Sequence, residues 1–443
     1  MTTHPFKIAA LAGWIALCAL LGRATTSRSY HEAAMGAARW METNSLRTAN
    51  GLVWASDPQD PKTVNTTLYA GTPGPILFFL ETYRYTHDQT FLGEGRRGAD
   101  ALLASISKKD ETGLYEGIAG SGFTLGEAYL ITGDVRYRQG ALQCVRWLQE
   151  RAKSTPDGVK WNDVTDIIAG SSGTGLFLLW AADHLHAPGA LELAARAGDH
   201  LIATAQPKPG AGLMWMMDPT FPREMPNFSH GTAGVSYFLA TLYQATGQKK
   251  FLNAALAGAD YLVSIADINS RYCMIYHDNQ NKGLYYLGWC HGPAGTARLF
   301  YRLYQVTRDP KWMSLVKKCA EAVVANGGPD KAVTPGVWHN VSMCCGVAAE
   351  AEFLYDIYLI THERRWLDGA KEGSNELLNL ADRESHGYRW VQVETRVRPD
   401  IAIAQTGYMQ GASGIGMWLL HFSAALSGQR SPVITFPDNP FAY

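Results

Sequence analysis

A chain of 443 residues that is 47% hydrophobic and 18% charged has enough apolar material for a large core, in one big domain or two ordinary ones, and is not a disordered chain. Its 39 basic and 40 acidic residues leave a net charge of −1, so no bulk field gathers nucleic acid or anionic lipid. Specificity must reside in a site.

The N-terminus reads MTTHPFKIAALAGWIALCALLGRATTS, with Lys7 before the apolar run Ile8–Gly22 and Arg23 after it. Residues 1–27 are expected to be a signal peptide or membrane anchor. The run is shorter than the roughly 20 residues that span a bilayer comfortably, and Gly22-Arg23-Ala24 offers a loose small-x-small cleavage site. A buried N-terminal helix is the alternative. The first reading makes the protein exported or membrane-anchored, the second cytoplasmic. Residues 28–443 are expected to form one domain.

Further along, a glycine-rich turn followed by an apolar helix pattern recurs seven times. Examples are GTPGPILFFLETYRYTHD from Gly71, HGTAGVSYFLATLYQATG from His230 and MQGASGIGMWLLHFSAALSG from Met409. The first glycines stand at 71, 117, 170, 231, 292, 346 and 411, far enough apart for two helices each. Second amphipathic stretches lie between them, over Gly95–Ser107, Arg138–Lys153, Ala190–Ala205, Phe251–Ile265 and Lys311–Ala325. Small residues at i and i+3 let a helix start approach a neighbouring backbone. Each unit reads as helix, turn, helix, and the fold class is all-α. Unequal unit lengths, and polar or thiol residues at matching turns, favour a closed double ring over an open solenoid. Tyr285–Tyr286, Tyr388–Val393 and Val433–Phe436 supply only short β pieces.

Three consecutive turns change character. His230, then Cys290 with His291, then Cys344 with Cys345 occupy positions where the first three units have neither thiol nor imidazole. Thiolates and imidazoles converging at one end of a ring are zinc-ligand chemistry. A vicinal disulfide is the other reading of Cys344-Cys345. His291 is either a hydrogen-bonding neighbour or a ligand. Cys144, Cys273 and Cys319 lie away from the turns and read as packing, and Cys18 lies in the leader.

At these turns the sequence resembles the lanthionine synthetase C-like (LanC-like) family. The resemblance covers roughly residues 60–425 and rests on HGTAG at 230–234, GWCHGPAG at 288–295, MCCG at 343–346 and GYMQGASGIG at 407–416, with DIIAGSSG at 166–173 as a further turn. It implies a double-layered α/α barrel, or toroid, of seven helical pairs. It also implies a Zn2+ cofactor that activates a cysteine thiol for Michael addition to a dehydroalanine or dehydrobutyrine, forming a thioether ring. Residue by residue, Cys290 and Cys344 would be metal ligands, His230 the catalytic histidine and Asp166 the catalytic aspartate. Cys345 holds the third-ligand position, where the family commonly has histidine and some members cysteine. Tyr286 stands where the bacterial cyclases have arginine. The implied partner is a dehydrated peptide, or a thiol such as glutathione, with a separate dehydratase to make the peptide's alkene.

Two rivals compete with a cyclase. A non-cyclising LanC-like protein that binds glutathione or a peptide keeps the metal and loses the chemistry. A glycoside hydrolase on an α/α toroid would use Asp163 with Asp166, or Glu111 with Glu116, and leaves the cysteines unexplained. Among the remaining residues, Asp166 has a helix-capping alternative. Trp289 and Tyr408 are placed either lining the cavity or in packing, and Arg298 and Arg302 on an ordinary charged helix face.

Overall fold

The computed structural model describes residues 27–329, 334–429 and 433–441. The expected leader, residues 1–27, lies outside the described residues except for its last position. Among the described residues, no helix is long and apolar enough to cross a membrane.

Among the described residues, fourteen helices make up 54% of the chain, well above the roughly one third usual in globular domains. Seven of them form an inner ring: α2 (Pro73–Thr86), α4 (Ile118–Thr132), α6 (Ser171–His184), α8 (Thr232–Thr246), α10 (Pro293–Thr307), α12 (Val347–Thr361) and α14 (Ala412–Leu426). Their apolar residues run all round the axis, and in α4, α6 and α12 the first eleven residues are all buried. Six outer helices each follow an inner one: α3 (Gln89–Ser105), α5 (Val135–Arg151), α7 (Ala190–Ala203), α9 (Lys249–Ile265), α11 (Pro310–Ala325) and α13 (Arg364–Leu380). These bury a single stripe, as with Gly95, Gly98, Ala99 and Leu102 of α3. The seventh outer partner comes from the opposite end of the chain. Helix α1, residues 27–43, lies on α14, with Ser27 hydrogen-bonded to Ser423 and Tyr30 against Phe422. This is the α/α toroid of seven pairs.

The inner-to-outer corners are tight. His87, Gly133, Gly247, Arg308 and His362 sit at left-handed φ after the inner helices. Asp88, Asp134 and Asp309 then cap the outer helices by accepting a backbone N–H two residues on. These caps start α3 and α5 earlier than the sequence pattern placed them.

The glycine turns are joined to one another. Backbone N–H groups of Tyr69, Tyr115, Ile167, Ser229, Cys290, Cys344 and Met409 donate in turn to the carbonyls of Tyr115, Ile168, Ser229, Cys290, Cys344, Met409 and Tyr69, at 2.9–3.1 Å. One closed circuit therefore holds all seven turns at one mouth of the barrel. In the first turn a Cβ at Gly74 would meet the Tyr408 backbone N of the neighbouring turn at 2.5 Å, as expected, and the sixth turn has Ala349 at this position; in the other five the second glycine has a different close neighbour. A Cβ at Gly120, Gly173, Gly234, Gly295 or Gly414 would meet, at 1.8–2.1 Å, the carbonyl oxygen six residues earlier in its own turn, not a neighbour's backbone.

Short β-hairpins that the sequence pattern had not indicated connect outer helices to the next turn. Examples are β3–β4 (Lys153–Thr155, Gly158–Lys160) and β5–β6 (Gln206–Lys208, Gly212–Met214). Four hairpins end in Gly-x-x-Trp, and Trp54, Trp161, Trp215 and Trp390 each donate the indole N–H to a carbonyl at the end of the preceding outer helix, Met41, Leu148, Leu201 or Leu377. The expected β pieces at 285–286 and within 388–393 form, whereas 433–436 is extended without strand pairing.

That last segment enters the barrel. Ile434 donates its backbone N–H to Glu81 on α2 (2.9 Å), Phe436 stacks on Tyr408, and Phe441 stacks on Tyr301 of α10. Asp438, fully buried, accepts from Tyr115 Oη (3.2 Å), Trp289 Nε1 (2.9 Å) and Arg298 Nη1 (3.4 Å). Residues 433–441 thus fill the lumen beneath the turns.

Candidate metal centre and active site

The two residues before each first glycine face the mouth of the barrel or the lumen just below it. The residue immediately before is Ala70, Glu116, Ala169, His230, His291, Cys345 or Gln410, and the one before that belongs to the hydrogen-bonded circuit or adjoins it. Because Cys290 N–H donates to the Cys344 carbonyl, the GWCHG and MCCG turns are neighbours in space although far apart in sequence. Ser342 Oγ accepts the N–H groups of both Cys344 and Cys345, fixing the second turn.

Three thiols converge as a result. Cys290 Sγ is 3.0 Å from Cys345 Sγ, which is 3.3 Å from Cys344 Sγ. All three lie within 4.8 Å of one another, buried, and form among the described residues the one set of three such groups able to hold a metal. They are free thiols, so the vicinal disulfide is not formed. Three buried sulfur donors on two tight turns fit a soft or borderline cation, zinc above all. Tyr69 Oη, itself accepting from Gln410 Nε2 (2.8 Å), reaches Cys344 Sγ at 3.4 Å. Such outer hydrogen bonds orient ligand atoms and tune their charge. S–H groups of Cys290 and Cys345 directed at Cys344 hold its thiol well below the usual range, against burial and with help from Tyr69. Burial pushes Cys290 up, and donation to its two neighbours pushes Cys345 up.

Across the same cavity, of about 290 Å³, stands His230. Its Nδ1 is 2.7 Å from Asp166 Oδ2, while Asp166 Oδ1 accepts the backbone N–H groups of Ala169 and Gly170 (2.8 and 2.9 Å). Asp166 thus both closes its own turn and holds the imidazole. Burial pulls the His230 pKa down, but the bond and charge of Asp166, with Cys344 and Glu116, outweigh it and leave the pKa raised. His291, next to Cys290, is pushed well below its ordinary value by burial and by the nearby His277 and His230. It is a neutral ring between two others: its centroid lies 5.5 Å from that of His230 and 4.2 Å from that of His277.

Several sequence assignments need correction. Arg298 is not on a charged surface: it is buried, paired with Asp438 and 3.9 Å from Glu352. Arg302 is tied to Gln244, Gln305 and the Tyr237 hydroxyl. Trp289 and Tyr408 pack on the C-terminal segment, below the site cavity. Of the carboxylate pairs, Asp163 is exposed and bound to Lys160 (2.6 Å), and Glu111 is exposed while Glu116 lines the cavity. Cys144, Cys273 and Cys319 are buried in the packing, as expected. Tyr69, Gln410, Glu116 and His277 line this cavity and were not singled out for it. Comparing the two residues before the glycine in all seven copies, and not only in those with Cys or His, would have nominated the first three.

The chain is thus an α/α-toroid protein with a thiol cluster and a histidine-aspartate pair at one mouth of the barrel. The sequence matches the family described as lanthionine synthetase C-like protein over residues 62–432, and the chain belongs to that family. Among solved structures, nisin cyclase superposes with a TM-score of 0.61 at 17% identity, covering 88% of this chain and 92% of its own. A GH76 alpha-mannanase from Bacteroides thetaiotaomicron superposes with a TM-score of 0.50 at 13% identity, covering 89% and 96%. Identities this low carry the fold and nothing further.

Proposed function

We propose that the protein is a zinc-dependent thioether-forming enzyme that adds a cysteine thiol to a dehydroalanine or dehydrobutyrine. The observation that carries this reading is the meeting of Cys290, Cys344 and Cys345 with the His230–Asp166 pair in one cavity. Zinc held by the three sulfurs would supply the incoming thiol as a thiolate. The chain's own groups supply the rest. Asp166 fixes the His230 ring through Nδ1, leaving Nε2 for the cavity, and favours its protonated form, the acid that delivers a proton to Cα. Tyr69 and Gln410 hold Cys344. The turn circuit keeps acid and thiols in register.

The glycoside-hydrolase alternative has little support from the site, since neither expected carboxylate pair faces the cavity with both members. A thiol-binding protein without ring closure remains the rival to test. The deciding experiment measures zinc per chain and the rate of thiol addition to a dehydroalanine-containing peptide. About one zinc per chain with turnover is expected. Zinc and thiol binding without turnover would assign the rival. Metal-free protein with the three thiols freely titratable under reducing conditions would remove the basis of the reading. A separate dehydratase as partner, and an N-terminal export or anchor segment, belong to the same proposal.

A further inference from the structure

The cavity holds a second imidazole set up in the same way as His230. His277 lies in the loop between β8 (Cys273–Met274) and β9 (Tyr285–Tyr286), outside the seven turns. Its Nδ1 is 2.8 Å from Asp278 Oδ2. Asp278 Oδ1 accepts the backbone N–H groups of Gln280 (2.9 Å) and Asn281 (3.0 Å). The pattern repeats that of Asp166: one carboxylate oxygen closes a turn, and the other fixes an imidazole through Nδ1, leaving Nε2 for the cavity that both rings line.

His277 is braced on both faces. It packs against His291, next in sequence to Cys290, with centroids 4.2 Å apart, and against Tyr286, with centroids 4.7 Å apart. Asp278 is fully buried, and Arg223 stands 3.7 Å from the oxygen it shares with His277. A loop needs no buried carboxylate to hold a ring that only packs, and burying one costs free energy. Burial, followed by the Arg396 and His230 charges, keeps the His277 pKa below its ordinary value against the pull of Asp278, so the ring is neutral with a free lone pair on Nε2. Two imidazoles whose surroundings push their proton affinities apart are the usual sign of one acid and one base.

Resting on the thioether-forming reading above, we propose that His277 is the base of the reaction, opposite His230 as its acid. Nε2 of His277 takes the proton as the incoming thiol ionises, and the C–S bond then forms at Cβ. The alkene electron pair moves toward the adjoining carbonyl as an enolate, and His230 gives a proton to Cα. Solvent then takes the proton from His277 and restores that of His230, so S–H has added across C=C with no oxidant or reductant. Asp278 is a positioning residue.

The test compares His277→Gln, Asp278→Asn and His230→Gln, each checked for zinc content and helical circular dichroism. Each is assayed on a dehydroalanine peptide with a thiol and with the matching selenol, which is already ionised at neutral pH. His277→Gln should keep its zinc, lose about 10²–10⁴-fold with the thiol and return close to the wild-type rate with the selenol. Asp278→Asn should follow it with a smaller loss, and His230→Gln should be slow with both nucleophiles. Equal losses with thiol and selenol, an unimpaired His277→Gln, or loss of zinc or helix in both the His277 and Asp278 variants would overturn the assignment. A wild-type protein that adds neither nucleophile overturns the functional reading itself, and this assignment with it.

Discussion

At Cys345 the proposed metal site has a third thiol, and a third thiolate ligand would carry more negative charge than an imidazole there. With its sulfur 3.0 Å from Cys290 Sγ and 3.3 Å from Cys344 Sγ, Cys345→Ala should lose zinc and activity together, as measured by metal content and thiol-addition rate. Cys345→His should retain zinc yet add thiol more slowly, because less negative charge at the metal leaves a weaker nucleophile. The partner residue, His230, is held by Asp166 and has no place among the three sulfurs, so His230→Ala should keep zinc and lose about 10²–10⁴-fold in rate. The pH dependence follows from its raised pKa. A step that needs protonated His230 is fully active below that pKa and fades as pH rises through it. Asp166→Asn removes the bond and charge that oppose burial, so the fall in kcat should move to lower pH. A pH profile unchanged in Asp166→Asn would separate His230 from the titrating acid.

The repeated element sets where those residues stand. Inner helices begin where a turn doubles back on itself, and in five of the seven the second glycine admits a carbonyl that a Cβ would exclude. At Gly295, in the helix that follows Cys290, an added methyl would lie 1.8 Å from the Trp289 carbonyl oxygen. Gly295→Ala should therefore lower the thermal midpoint and loosen the metal site, read as a lower melting temperature and faster zinc release to a chelator. At Gly93, within α3, an added methyl would meet nothing within 4 Å. Gly93→Ala should be neutral or stabilise by about 0.5–1 kcal/mol, since alanine loses less entropy in a helix. The four Gly-x-x-Trp hairpins add a further tie, pinning four of the outer helix ends to the next turn through a buried indole N–H.

Across the whole molecule, closure comes from both chain ends. Helix α1 supplies the outer layer for α14, and residues 433–441 fill the lumen, so a domain read as seven local repeats is fastened by its most distant contacts. Asp438 is the clearest case: it takes hydrogen bonds from the turn residues Tyr115 and Trp289 and pairs with the buried Arg298. Asp438→Ala leaves that guanidinium buried without its close carboxylate, with the backbone carbonyl of residue 438 at 3.1 Å and Glu352 at 3.9 Å. The loss of stability should be about 3–5 kcal/mol, measured as a lower urea midpoint with an unchanged slope. A change below about 1 kcal/mol would show that the lumen segment stabilises little.

Much of this was legible in the amino-acid order. The seven glycine turns, the alternation of all-apolar and one-sided helices, and the cysteines and histidine at matching turns are local patterns, and a helix period or a repeat survives in sequence because neighbours in the chain enforce it. The convergence of Cys290, Cys344 and Cys345 was readable only because equivalent turns of a closed ring must meet. What lay beyond the repeat did not announce itself. His277 sits in an irregular loop, Asp438 in a tail with no periodicity, and Arg298 on a helix whose charged face turns inward only because a distant carboxylate waits there. Such contacts depend on which surfaces the ring brings together once it closes, and a one-dimensional pattern carries no record of a partner 140 residues away.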